Sequence, residues 1–154
     1  MTTFNYFTFS FSIVFISWVV GLIFDALLQK AKFYQALDNL NFIESRKLNK
    51  WMGLDYFKWT VKNTFFRFFN MKLNLNSTAD IDDLHILRKE MTKAELSHLL
   101  AFLFMAVFSL VLLLKGKFLF ALIMLLVNIL MNLYPSLLQQ QNKRRIDKLI
   151  KRYS

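Results

Sequence analysis

Residues 96–139 constrain this chain more than any other part. They read LSHLLAFLFMAVFSLVLLL, then KGK, then FLFALIMLLVNILMNLYPSLLQ. Each apolar run is close to the roughly 20 residues that a helix needs to cross a bilayer. No formal charge falls in residues 96–114 or in residues 118–142. Two such runs joined by three residues predict a tight transmembrane hairpin, with spans at 96–114 and 118–139.

The polar residues inside the hairpin are placed with a period. Asn128, Asn132, Pro135, Gln139 and Asn142 follow steps of 4, 3, 4 and 3, which is one face of a helix. On the first run, Glu90, Glu95 and His98 fit within one broad face near its opening end. Polar side chains are costly in lipid, so they face a protein interior or a functional cavity.

A third apolar stretch covers residues 4–28. It begins with no basic residue and has no small-residue cleavage site, so a retained helix is expected rather than a cleaved signal. Asp25 is its only charge, either at the interface or facing inward. Residues 30–95 differ, with 12 Lys or Arg and 8 Asp or Glu. Within them, residues 51–69 mix aromatic and basic side chains. Three basic residues and one acid make a poor span there. An amphipathic segment in the headgroup region is expected instead, anchored by Trp51, Tyr56, Trp59, Phe65 and Phe66. Residues 74–83 form the expected loop. Asp80 is the expected N-cap of a helix that runs through His85 and Lys93 into the hairpin. Residues 143–154 form a basic amphipathic tail.

The chain is therefore read as all-α: one integral membrane domain of about three transmembrane helices and a membrane-surface segment. The 154 residues include only 3 Gly and 1 Pro, too few turn residues for a loop-rich β protein. Of the 20 basic residues, 18 lie in residues 30–95 and the tail, which three spans place on one side. The positive-inside bias then puts the C-terminus in the cytosol and the N-terminus outside. The same placement accounts for the net charge of +10 without nucleic acid, for which no motif is present. The absence of Cys excludes disulfides, thiolate chemistry and Cys-ligated metals.

Depth counts from Gly116 put His98 level with Tyr134, Glu95 with Leu137 and Glu90 with Asn142. Glu90, Glu95 and His98 then face Asn132, Gln139 and Asn142, with Arg145 just beyond. A carboxylate three residues before a His can orient it as a general base toward a hydroxyl. His98, Glu95 and Glu90 are the candidate catalytic residues. Asn132, Tyr134, Gln139, Asn142 and Arg145 are the candidate substrate-binding residues, suited to a ligand's oxygens or a developing oxyanion. One well-placed His and two Glu match no metal-ligand spacing, so neither a metal nor another cofactor is expected. No nucleophile elbow, phosphate loop or dinucleotide fingerprint is present, which favours direct transfer between two bound substrates. The rival reading is structural: interhelical polar contacts often only hold a bundle together, with a second copy or a partner membrane protein.

Residues 90–98 (EMTKAELSH) and 132–145 (NLYPSLLQQQNKRR) resemble the glycosyl-4,4'-diaponeurosporenoate acyltransferase family of small bacterial membrane proteins. The family pattern has Glu, Ala-Glu and His at this spacing, then Asn, and seven residues on Gln-Arg-Tyr-Asn-Arg-x-Arg. Glu90, Ala94, Glu95, His98, Asn132, Gln139, Asn142 and Arg145 match it. Gln140, Gln141 and Lys143 depart from it, where the family has Arg, Tyr and Arg. The resemblance covers roughly the last 65 residues. It implies transfer of a fatty acyl group from a donor to a sugar hydroxyl of a lipid-like, glycosylated carotenoid acceptor, among membrane lipids.

Overall fold

A computed structural model describes residues 2–40, 42–43, 45–63 and 80–153. They are helical, with no strand among them. Three helices are long and apolar enough to cross a membrane: Thr3–Leu28, Ile81–Leu114 and the continuous run Phe118–Tyr153. The elements are α1 (Thr3–Leu28), a 3-10 segment (Lys32–Asn39), α2 (Arg46–Trp51), α3 (Leu54–Asn63), α4 (Ile81–Leu114), α5 (Phe118–Asn128), a π turn (Ile129–Leu133) and α6 (Tyr134–Tyr153). They group into two compact units. One comprises Met1–Asn39 and Lys93–Ser136, the other Leu40–Thr92 and Leu137–Ser154.

The first unit is built inside out relative to a water-soluble bundle. The buried face of α1 is Ser10, Val14, Ser17, Gly21 and Asp25, mostly small residues at helical spacing. Phe4, Phe7, Phe11, Phe15, Val19 and Leu22 are exposed. Where lipid replaces water, small side chains inside let helices approach, and large apolar ones face out. Gly21 marks the closest approach. A Cβ there would collide with the Ser97 carbonyl oxygen of α4. Leucine at Gly21 should therefore separate α1 from α4 and destabilise the protein by about 1–3 kcal/mol, read as a lower melting temperature in detergent. Val14 packs with Met105, Phe120, Ile123, Met124 and Val127, and Tyr6 stacks on Phe120 at 4.4 Å.

Asp25 faces inward and is fully buried. It accepts hydrogen bonds from Gln29 Nε2 (2.7 Å) and the Tyr34 hydroxyl (2.9 Å). Burial, reinforced by this hydrogen bond and the carboxylate charge, holds the Tyr34 pKa well above its usual range.

The hairpin turn is a Schellman motif. Lys117 N–H donates to Leu112 O and Gly116 N–H to Leu113 O, both at 3.0 Å. Gly116 takes the left-handed conformation that this requires, at φ 71°. Asp80 stands at the start of α4 as expected, accepting from Ile81 N–H at 2.6 Å. Asp82 and Asp83 add negative charge at the positive end of the helix dipole.

One departure from a regular helix bears on the site. Pro135 has no N–H to give the Met131 carbonyl, and Tyr134 N–H bonds instead to Ile129 O, five residues back. The resulting π turn shifts the helix phase. The polar line expected through Pro135, Gln139 and Asn142 is not the one that is most buried. After Asn128 and Asn132, the fully buried polar positions are Ser136, Gln140 and Lys143, while Gln139 is only half-buried.

In the second unit, Leu84 and Met91 of α4 pack with Ile146 of α6. Arg88 pairs with Asp147 beside them. Ser45 caps α2 through Leu48 N–H at 3.3 Å. Leu54 and Val61 are the buried positions of α3, while Trp51, Tyr56 and Trp59 are exposed. Of the segment expected at the membrane surface, residues 64–69, with Phe65 and Phe66, lie outside the described residues. So do residues 74–79 of the expected loop.

Candidate active site

The first unit contains Glu95, His98, Asn132 and Tyr134. Asn132 sits in the π turn, fully buried, and its amide is a hub. Its Nδ2 donates to Asn128 Oδ1 (2.8 Å) and lies 3.3 Å from Ser17 Oγ and 3.4 Å from Met105 Sδ. Its Oδ1 accepts from Trp18 Nε1 at 2.9 Å. These contacts fix which end of the amide is oxygen. Asn128 Nδ2 in turn donates to the Phe102 carbonyl at 3.0 Å. The network thus ties α1, α4 and α5 together through polar groups that lipid cannot satisfy.

His98 lies against this hub. Its ring meets Trp18 edge-to-face at 6.2 Å between centroids, and the Asn132 side chain is its polar neighbour. The depth count expected Tyr134 at this level. The polar neighbour is instead Asn132, two residues earlier. Glu95, one turn before His98 on α4, is fully buried. Tyr134 is half-buried.

The second unit contains Glu90, Gln139, Asn142 and Arg145. Glu90 and Arg145 are exposed, Gln139 half-buried and Asn142 buried. Gln140 is also buried, and neither its Nε2 nor its Oε1 has a hydrogen-bond partner among the described residues. Among the described residues, no cluster of three or more His, Asp and Glu is arranged to hold a metal ion.

Trp18 and Ser17 were not legible as site residues. Their signal was faint: one Trp in the first apolar run, whose indole N–H needs an acceptor once it leaves water.

The family model for glycosyl-4,4'-diaponeurosporenoate acyltransferase matches residues 30–152. The chain belongs to this acyltransferase family. The match is wider than the last 65 residues and takes in α2, α3 and all of α4. Searches of curated proteins and of solved structures returned no match. His98, Glu95 and Asn132 lie within the matched residues, while α1, with Ser17 and Trp18, lies before them.

Proposed function

We propose that this protein transfers a fatty acyl group to a hydroxyl of a lipid-like acceptor, with His98 as general base. Family membership supplies the reaction class, a carotenoid-related acyl transfer. The observation that carries the rest is the Asn132 amide, held in one orientation beside His98. A ring nitrogen that faces the Asn132 oxygen carries its hydrogen there. The other nitrogen then keeps its lone pair for a substrate proton. The acceptor oxygen attacks the acyl carbonyl as His98 takes its proton. The new C–O bond forms, the bond to the donor's leaving group breaks, and the proton passes to that leaving group. Glu95 is assigned to stabilising the imidazolium. Tyr134 is assigned to the acceptor.

In the second unit, Gln139, Asn142 and Arg145 are assigned as binding residues, and Glu90 as an acid–base group, on the family likeness. The acceptor we favour is a sugar hydroxyl of a glycosylated carotenoid-like lipid. The rival, a non-catalytic membrane subunit, is favoured by the fact that the Asn132 network also holds three helices together.

Membranes containing the protein, given radiolabelled palmitoyl-CoA, should place label in an alkali-labile, ester-linked lipid. Membranes from a deletion strain should not. Equal labelling in both would remove the acyl-transfer reading for this donor.

We also propose a cytosolic C-terminus and an external N-terminus, from the distribution of Lys and Arg. A reporter active only outside the cytosol should work when fused at the turn formed by Lys115, Gly116 and Lys117. It should be silent after Ser154. The reverse pattern would overturn this orientation.

A further inference from the structure

The second unit holds a group of hydrogen-bond donors of which only Arg145 has a part in the proposed acyl transfer. Lys58 of α3 donates from Nζ to Gln141 Oε1 of α6 at 3.4 Å. That contact brings together two short rows. Lys62 lies one turn beyond Lys58 on α3, and Arg145 one turn beyond Gln141 on α6. Because Gln141 uses its oxygen for Lys58, its amide N–H groups are left to donate.

The charges around this point are unbalanced. The charges that act on Lys58 are two cations, Arg145 and Lys62, and one carboxylate, Asp55. The contrast with α4 is direct: there Arg88 has found Asp147 on α6. Among the described residues, Arg145 makes no ion pair and remains exposed. Partial burial, then the charges of Arg145 and Lys62, lower the Lys58 pKa from its usual value. A protein gains little by holding like charges together unless an anion joins them.

We infer that Lys58, Lys62, Gln141 and Arg145 form a phosphate-binding site between α3 and α6. The Lys58 ammonium and the Gln141 amide meet there, the Arg145 guanidinium is close enough to act on Lys58, and a guanidinium can grip two phosphate oxygens at once. Tyr56 and Trp59, exposed on the same short helix, suit the polar–apolar boundary where phosphate groups of lipids lie. The phosphate could belong to an anionic phospholipid headgroup or to a soluble phosphorylated molecule such as an acyl donor. The site shares only Arg145 with the acyl-transfer reading and does not depend on His98 acting as a base.

The test reads lysine protection rather than acyl product, so the two readings fail separately. Full-length protein in a non-ionic maltoside detergent is acetylated briefly with an amine-reactive ester, and each lysine's modification rate is measured by peptide mass spectrometry. Inorganic phosphate should slow modification of Lys58 by about tenfold near saturation. Sodium chloride of matched ionic strength should not. Dihexanoyl-phosphatidylglycerol, with dihexanoyl-phosphatidylcholine as control, forms the second arm. Protection by the anionic lipid alone identifies a headgroup site, and protection by inorganic phosphate identifies one open to soluble phosphates. Arg145→Ala should remove most of the protection, and Arg145→Lys should keep much of it. Lys62→Gln, on an exposed position, should weaken it without unfolding the protein. No protection by either probe, equal slowing by chloride, or full protection in Arg145→Ala would overturn the site.

Discussion

Replacing His98 with alanine should lower acyl-ester formation by about a hundredfold or more, the usual cost of losing a positioned base. The variant should still insert and fold. His98 is partly buried at the edge of the Asn132 hub, and the hub's contacts to Asn128, Ser17 and Trp18 do not pass through it. Glu95→Gln should cost less. It keeps the shape of a fully buried side chain and loses the charge that would stabilise an imidazolium. The check is the initial rate of label transfer in isolated membranes, normalised to the amount of protein. Comparable rates for His98→Ala and wild type would remove the base from the account.

The second large effect is expected at Asn132. Leucine is close in volume but cannot make polar contacts. Asn132→Leu leaves Trp18 Nε1 and Asn128 Oδ1 buried without their present partners. Each unsatisfied group costs about 1–3 kcal/mol in a protein interior. Measured interhelical hydrogen bonds in membranes average nearer 0.6 kcal/mol, so a total loss of about 1–3 kcal/mol is expected. Stability and activity should fall together, because the same amide ties the helices and orients His98. Asn132→Asp separates the two roles. It keeps the oxygen that accepts from Trp18 and can orient His98, and it loses the donor to Asn128. It should retain more activity than the leucine variant at similar stability. Asn128→Leu, deeper in the hairpin, should lower thermal stability through loss of the Phe102 contact and affect the rate less. Melting curves in detergent and ester formation, measured on the same preparations, check the set. A fully active and stable Asn132→Leu would contradict it.

The hairpin was legible because its signals are local. Apolar length gives the spans, Lys115–Gly116–Lys117 gives the turn, and Asp80 gives the helix start. The pairing of His98 with the asparagine seam was legible because antiparallel helices share one rise per residue. The π turn was not read. Pro135 announces a disturbed helix, but whether the chain kinks or widens by one residue depends on tertiary packing. That one residue moved burial toward Ser136, Gln140 and Lys143 and left Gln139 only half-buried. The part played by α1 was hidden for another reason. Its buried face is made of small residues, which give no amphipathic contrast when every other side chain is apolar. Gly21 reads as a weak helix residue until Ser97 of α4 is seen against it. The Lys58–Gln141 contact joins residues 83 apart in sequence, and no spacing rule reaches that far.

The most direct test of the account is mass spectrometry of lipid extracts from a deletion strain complemented with either wild type or His98→Ala at equal membrane levels. Wild type should restore an acylated lipid, while the variant should leave its unacylated acceptor to accumulate. A deletion strain whose lipids match the wild type, or a full profile restored by His98→Ala, would contradict it.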